Sequence, residues 1–153
     1  MRKETTLQMV YRHPLFTKEQ IQIISESHKE VRFKKGNFFW TKGEIANSFL
    51  LLEEGLMRSF LYSYDGNEIT TDFYSDQEVV INVLSLFKRI PSDEYIQALT
   101  DCVCWQIDLD RFQQLYHSMP GMSEWGRAWM SEQLFQSKQR AVEMITENAT
   151  TRY

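Results

Sequence analysis

The chain has 153 residues, a formal net charge of -4, and 42% hydrophobic against 25% charged residues. That is enough for one domain that folds without metal or disulfide, and the balance is that of an ordinary globular protein. No apolar run approaches the roughly 18 residues of a membrane helix, Met1-Arg2-Lys3-Glu4 leads into no signal-peptide core, and the dispersed basic residues give no electrostatic footprint for nucleic acid.

A cytoplasmic location is expected on these grounds. The folded part is expected to open at His13-Pro14. Thr17 followed by Gln20 is a capping-box pattern, and Ile21 and Ile24 continue on one face, which predicts a short helix from Lys18 to about Ser27. His13 and His28 lack a sequence-near Asp, Cys or second His at ligand spacing, which speaks against a metal or catalytic role. Val31 and Phe33 alternate with Arg32 and Lys34 as in a half-buried strand ended by Lys35-Gly36. Phe38-Phe39-Trp40 follows. Aromatics beside lysines could stack on single-stranded nucleic acid, but the acidic net charge favours core and edge positions of a strand.

Gly36, Gly43, Gly55 and Gly66 punctuate this region at intervals of roughly ten residues, the spacing of short antiparallel strands in a sandwich or barrel. Phe49 to Leu52 is a continuous apolar run, as in a strand buried on both faces. Asp65-Gly66 predicts a two-residue type I′ hairpin that pairs Met57–Tyr64 with Asn67–Tyr74. After a loop at Ser75–Glu78, Val79 to Phe87 is apolar and is expected to run from a strand into one helical turn. Lys88 to Glu94 is a polar break. Tyr95–Leu99 and Val103–Asp108 give two more strands, and Asp108 is expected to cap a helix from Leu109 to about His117. Cys102 and Cys104 point to one strand face, poor geometry for a mutual disulfide and too few ligands for zinc, so both are expected in the core.

The last segment differs in kind. From Ser123, expected to supply the cap with Gly121 just before it, to Glu147 there is no Pro and one Gly, Gly126, which predicts a single long helix. It carries two apolar seams. Trp125, Trp129, Phe135, Val142 and Ile145 form one, expected to pack on the strands. Met130, Leu134, Ala141 and Met144, with Ser137 inside the row, form the other at heptad-like spacing, expected to meet a second copy. A single broad stripe packed on the domain is the alternative.

In order and spacing, Phe33-Lys34-Lys35-Gly36, Lys42-Gly43-Glu44, Leu51-Leu52-Glu53-Glu54-Gly55, Tyr64-Asp65-Gly66-Asn67-Glu68, Ile107 with Phe112, and the long terminal helix resemble the effector domain of the Crp/Fnr family of bacterial transcription regulators. The resemblance spans about Leu15 to Tyr153. It implies a mainly β fold with flanking helices: a double-stranded β-helix (jelly-roll) β-roll of the cyclic-nucleotide-binding kind over residues 1–122. Residues 123–153 then form a dimerisation helix leading to a helix-turn-helix DNA-binding domain that the chain lacks. Homodimerisation through this helix, DNA contact only through the downstream domain, and no membrane partner follow as expectations.

In cAMP-binding members the phosphate-binding cassette has the form Gly-Glu-Leu-Gly followed by an Arg-Ser-Ala or Arg-Thr-Ala segment. The resemblance lays the first part on Asn82-Val83-Leu84-Ser85, where Val83 replaces the ribose-binding Glu, and the second near Ser92-Asp93-Glu94, where no Arg stands. A lost charge-assisted bond to the phosphate costs roughly 1.5 to 3 kcal/mol, about tenfold to more than a hundredfold in affinity. A degenerate pocket that does not take cAMP in the usual way is therefore expected, with Arg89 close enough in sequence to meet a phosphate if the loop were shifted. Two late cysteines do not suit a four-cysteine iron–sulfur sensor. No cofactor, metal or catalytic residue is expected, and the small-molecule effector is left open. A stand-alone ligand-binding or interaction module is the alternative. A cupin-type enzyme is disfavoured because His13, His28 and His117 fall outside the expected strands.

Overall fold

Two four-stranded antiparallel sheets face each other. The first has the order β1 (Lys29–Phe33), β8 (Cys102–Asp108), β3 (Ser48–Glu54), β6 (Val79–Val80); the second has β2 (Phe38–Trp40), β7 (Tyr95–Ala98), β4 (Met57–Tyr62), β5 (Glu68–Tyr74). Helices α1 (Arg2–Val10), α2 (Lys18–Glu26), α3 (Val83–Lys88), α4 (Leu109–Ser118) and α5 (Pro120–Arg152) complete the chain. The structure is a computed structural model that describes the backbone of residues 2–152 and the side chains of residues 6–146. Met1 and Tyr153, the outer ends of the two expected units, lie outside the described residues. The mainly β jelly-roll with flanking helices is the architecture expected from the sequence.

There are two apolar cores, and β3 belongs to both. Leu50 and Leu52 turn into the roll with Met57, Val80, Ile96 and Cys104, whereas Phe49 and Leu51 turn outward to meet the helices with Ile107, Phe112 and Leu115. A strand covered on both faces needs no polar alternation, which is why Phe49–Leu52 is uniformly apolar. Cys102 and Cys104 are buried, unpaired thiols of the inner core, as expected.

The β4–β5 hairpin departs from the two-residue turn. Strand pairing ends at Tyr62 opposite Glu68, Ser63 N donates to Asn67 O at 2.7 Å, and Gly66 N donates to Ser63 O at 2.9 Å. The loop is therefore Tyr64-Asp65-Gly66, a turn followed by Gly66 at φ 84°, a three-residue solution in which only the second residue of the Asp-Gly pair takes the left-handed conformation. At Gly55 the backbone (φ 126°) passes so close to β8 that an added Cβ would meet Cys102 Sγ at 2.6 Å.

Thr17 caps α2 with both capping-box bonds formed, as expected. Asp108 occupies the N-cap position of α4, but its side chain makes no capping bond. Helix α1 was not expected: folded structure begins before His13, with Leu7 and Tyr11 fully buried. Polar contacts from Thr6 and Tyr11 tie this segment to the rest of the domain. Thr6 Oγ1 donates to the Glu53 carboxylate at 2.8 Å, Glu53 also accepts from Trp105 Nε1 at 3.1 Å, and the Tyr11 hydroxyl meets His28 Nε2 at 3.0 Å. Burial away from water raises the Tyr11 phenol far above its usual range.

Helix α5 starts at Pro120, not at a Ser123 cap. Proline suits a first helical turn because its missing N–H has no intrahelical partner there. Gly121 is buried in that first turn, where it lets the Phe16 ring approach. Of the seam expected to pack on the strands, Trp125 and Trp129 join the outer core, but Phe135, Val142 and Ile145 are exposed. The helix is 33 residues, about 50 Å at 1.5 Å per residue, and it outruns the sheets it packs against.

Candidate functional site

The segment aligned with the phosphate-binding cassette runs from the end of β6 through α3 to the start of β7. Asn82 opens it as the N-cap of α3, its Oδ1 accepting from Ser85 N at 3.1 Å. Ser85, 1% exposed, accepts from Ala46 N at 2.8 Å and ties α3 to the β2–β3 loop. On the far side, Ser92 is 3% exposed and uses all its hydroxyl capacity: Oγ accepts from Asn82 Nδ2 at 2.9 Å and Glu94 N at 3.0 Å and donates to Glu94 O at 2.8 Å. Its backbone is engaged too, with Gly43 N donating to Ser92 O and Ser92 N to Glu44 O, both at 2.8 Å. Asn82, Ser85, Ser92 and Glu94 are thus brought into one bonded knot. Leu84 is exposed, Asp93 is exposed, and Val83 faces α4 and α5 across a separate cavity.

The electrostatics near this segment are negative. Tyr74, half-buried on β5, has its phenol pushed up to about 12, above all by burial, against a lowering by a hydrogen bond with Ser59, with smaller individual increases from the charges of Asp72, Glu94 and Glu78. Three carboxylates therefore act on one hydroxyl. Arg89, in a left-handed conformation (φ 57°) at the end of α3, turns its guanidinium to Ala46 O at 2.6 Å, Asn47 Oδ1 at 2.7 Å and Leu86 O at 3.4 Å. Arg58 pairs with Glu68 at 2.7 Å and lies over the Phe60 ring. Arg140 of α5 reaches Asp72 at 3.7 Å.

The second candidate surface is the seam on α5. Met130, Leu134, Ser137, Ala141 and Met144 are all exposed, Leu134 at 70% and Met144 at 63%. Sequence reasoning named these positions but missed Ser92 as a hub and Tyr74 as the reporter of the acidic field. An Asn at the start of the apolar run Val83–Phe87 was a capping signal for α3; the Ser92 contacts are made across the fold and had none. No group of three or more His, Cys, Asp or Glu is placed to hold a metal among the described residues, and no described helix is long and apolar enough to cross a membrane.

A family model described as cyclic nucleotide-binding domain matches residues 30–119. No curated protein matches the chain. Among solved structures, a cyclic nucleotide-binding domain from Methylobacillus flagellatus KT is similar at TM-score 0.78 and 15% identity, over 95% of this chain and 83% of its own. The catabolite activator protein of Thermus thermophilus is similar at TM-score 0.73 and 16% identity, over 86% of this chain; the matched part is 61% of that protein's length. The sensor domain of the transcriptional regulator DNR from Pseudomonas aeruginosa is similar at TM-score 0.69 and 18% identity, over 91% of this chain and 95% of its own. At these identities the shared property is the fold.

Proposed function

The chain belongs to the cyclic nucleotide-binding domain family, and on that premise we propose that it is the effector-sensing and dimerisation unit of a Crp/Fnr-like transcription regulator whose cassette does not take cAMP in the usual way. The observation that carries the reading is the knot at Ser92. An anion-binding loop needs backbone N–H groups free to turn toward the phosphate, and here Ser85 N, Glu94 N and the Asn82 amide are already bonded inside the segment. Opening them leaves buried polar groups unsatisfied, at about 1 to 3 kcal/mol each. The phosphate would then meet the field of Asp72, Glu78 and Glu94. Arg89 does not supply the missing charge, since it is held by Ala46 and Asn47.

Thermal unfolding with millimolar cAMP or cGMP tests this. The melting temperature is expected to stay where it is without nucleotide; stabilisation by several degrees, the mark of a ligand well above its Kd, would overturn it. Dimerisation through Met130, Leu134, Ser137, Ala141 and Met144 is the second part of the proposal, supported by a row of exposed apolar side chains on a helix that outruns its domain. The regulator acts in the cytoplasm, and DNA contact falls to a helix-turn-helix unit beyond α5, where the dimer sets the half-site spacing.

A further inference from the structure

On the side of the cassette segment that faces α4 and α5, a cavity of about 640 Å³ lies between α3, α4 and α5, with Val83 and Phe87 of that segment in its wall. Phe49 of β3 lines it together with Phe87 from α3, Phe112 and Tyr116 from α4, and Trp125 and Trp129 from α5. Its size is that of a site for a drug-sized molecule, and an aromatic wall with few polar groups is the usual lining of one.

Gly126 also lines it. Glycine inside a helix costs roughly 1 kcal/mol relative to alanine, and here it avoids no clash, because a Cβ would meet nothing nearer than Tyr116 Cε2 at 3.8 Å. The missing side chain leaves space. The polar groups of the lining are Gln113, His117 and Arg127. Glu124 reaches Arg127 at 3.5 Å, and the Arg127 side chain remains 73% exposed. The rim therefore offers a guanidinium and an imidazole to an incoming molecule and no lining carboxylate among the described residues.

We propose that this cavity binds an amphipathic organic acid, its apolar body among the Trp125, Trp129 and Phe112 rings and its anionic head at Arg127 and His117. The site shares Val83 and Phe87 with the cassette segment but none of the Ser92 knot, and its test does not depend on nucleotide binding. It touches α3, the cassette helix, and the first turns of α5, so occupancy couples the roll to the direction in which α5 leaves it.

A dodecanoate brominated at its tail, titrated below its micelle concentration into the full chain, reads the site directly, because bromine in contact with indole quenches fluorescence. Saturable quenching is expected, weakened about tenfold by Arg127→Gln and abolished by Gly126→Leu, which places a side chain in the cavity. The matching brominated alcohol should bind more weakly than the acid, and to the same extent in wild type and Arg127→Gln. Circular dichroism checks that Gly126→Leu is folded; if it is not, the exposed Arg127→Gln variant decides alone. Absence of saturable quenching, quenching that survives in folded Gly126→Leu, or equal affinity for acid and alcohol would overturn the proposal. So would quenching that disappears as sedimentation shows dimers forming, which would make a second copy the occupant.

Discussion

The root of α5, Pro120 to Trp129, and its shaft, residues 130–146, are one unbroken helix in opposite environments. In the root, Met122 is fully buried, Trp125 is 7% exposed, its Nε1 donates to Val10 O at 2.7 Å, and its ring lies 4.6 Å from that of Tyr11. In the shaft every residue is exposed, with Leu134 and Ile145 at 70%. In proteins most helical stability comes from packing an apolar face and not from propensity. The root is held by its own domain, and the shaft presents apolar side chains that no described part of that domain covers.

Removing Trp125 should break the contrast most severely. Trp125→Ala deletes the contact with Tyr11 and leaves Val10 O without its donor, so a loss of about 3 to 5 kcal/mol is expected in urea unfolding. Were the protein to lose less than about 1 kcal/mol, α5 would not be anchored by its root. In the shaft, Leu134→Glu and Met144→Glu should each weaken self-association about tenfold to a hundredfold by sedimentation, from the cost of a charge at a buried seam, while the far-UV spectrum of the β-roll is retained. Two variants that sediment like the wild type would place the dimer seam elsewhere. Smallest is Arg140→Gln, which removes the contact with Asp72. Both partners are largely exposed, so stability should change by no more than about 0.5 to 1 kcal/mol; a larger loss would mean that the shaft docks on β5.

What was legible in the sequence follows the range over which each feature is determined. The hairpin at Gly66, the capping box at Thr17 and the doubly covered β3 are local patterns, and all three appear in the structure, with the turn one residue longer than Asp-Gly suggested. Helix α1 was not legible, because Leu7 and Tyr11 are too sparse an apolar stripe to announce a buried helix; their partners, Trp125 and His28, lie far along the chain or on another element. The Ser92 knot was invisible for the same reason, since its bonds join Asn82 and the β2–β3 loop. Arg89 was near the cassette in sequence, but a left-handed turn sends its side chain toward Ala46 and Asn47. Phe135, Val142 and Ile145 were legible as apolar but not as exposed, because periodicity tells which side chains share a face and not where the domain ends.

The clamp made by α1 also bears on how much chain constitutes a domain. The stretch that matches the family model ends before α5 and begins after α2. Protein cut to those bounds would lose Leu7, Tyr11, Ile24, Met122 and Trp125 together, uncovering Phe49 and Phe112 and taking the Thr6 hydroxyl from Glu53. The family-matched segment is thus smaller than the outer core it contributes to, which α1, α2 and the root of α5 complete from both ends of the chain.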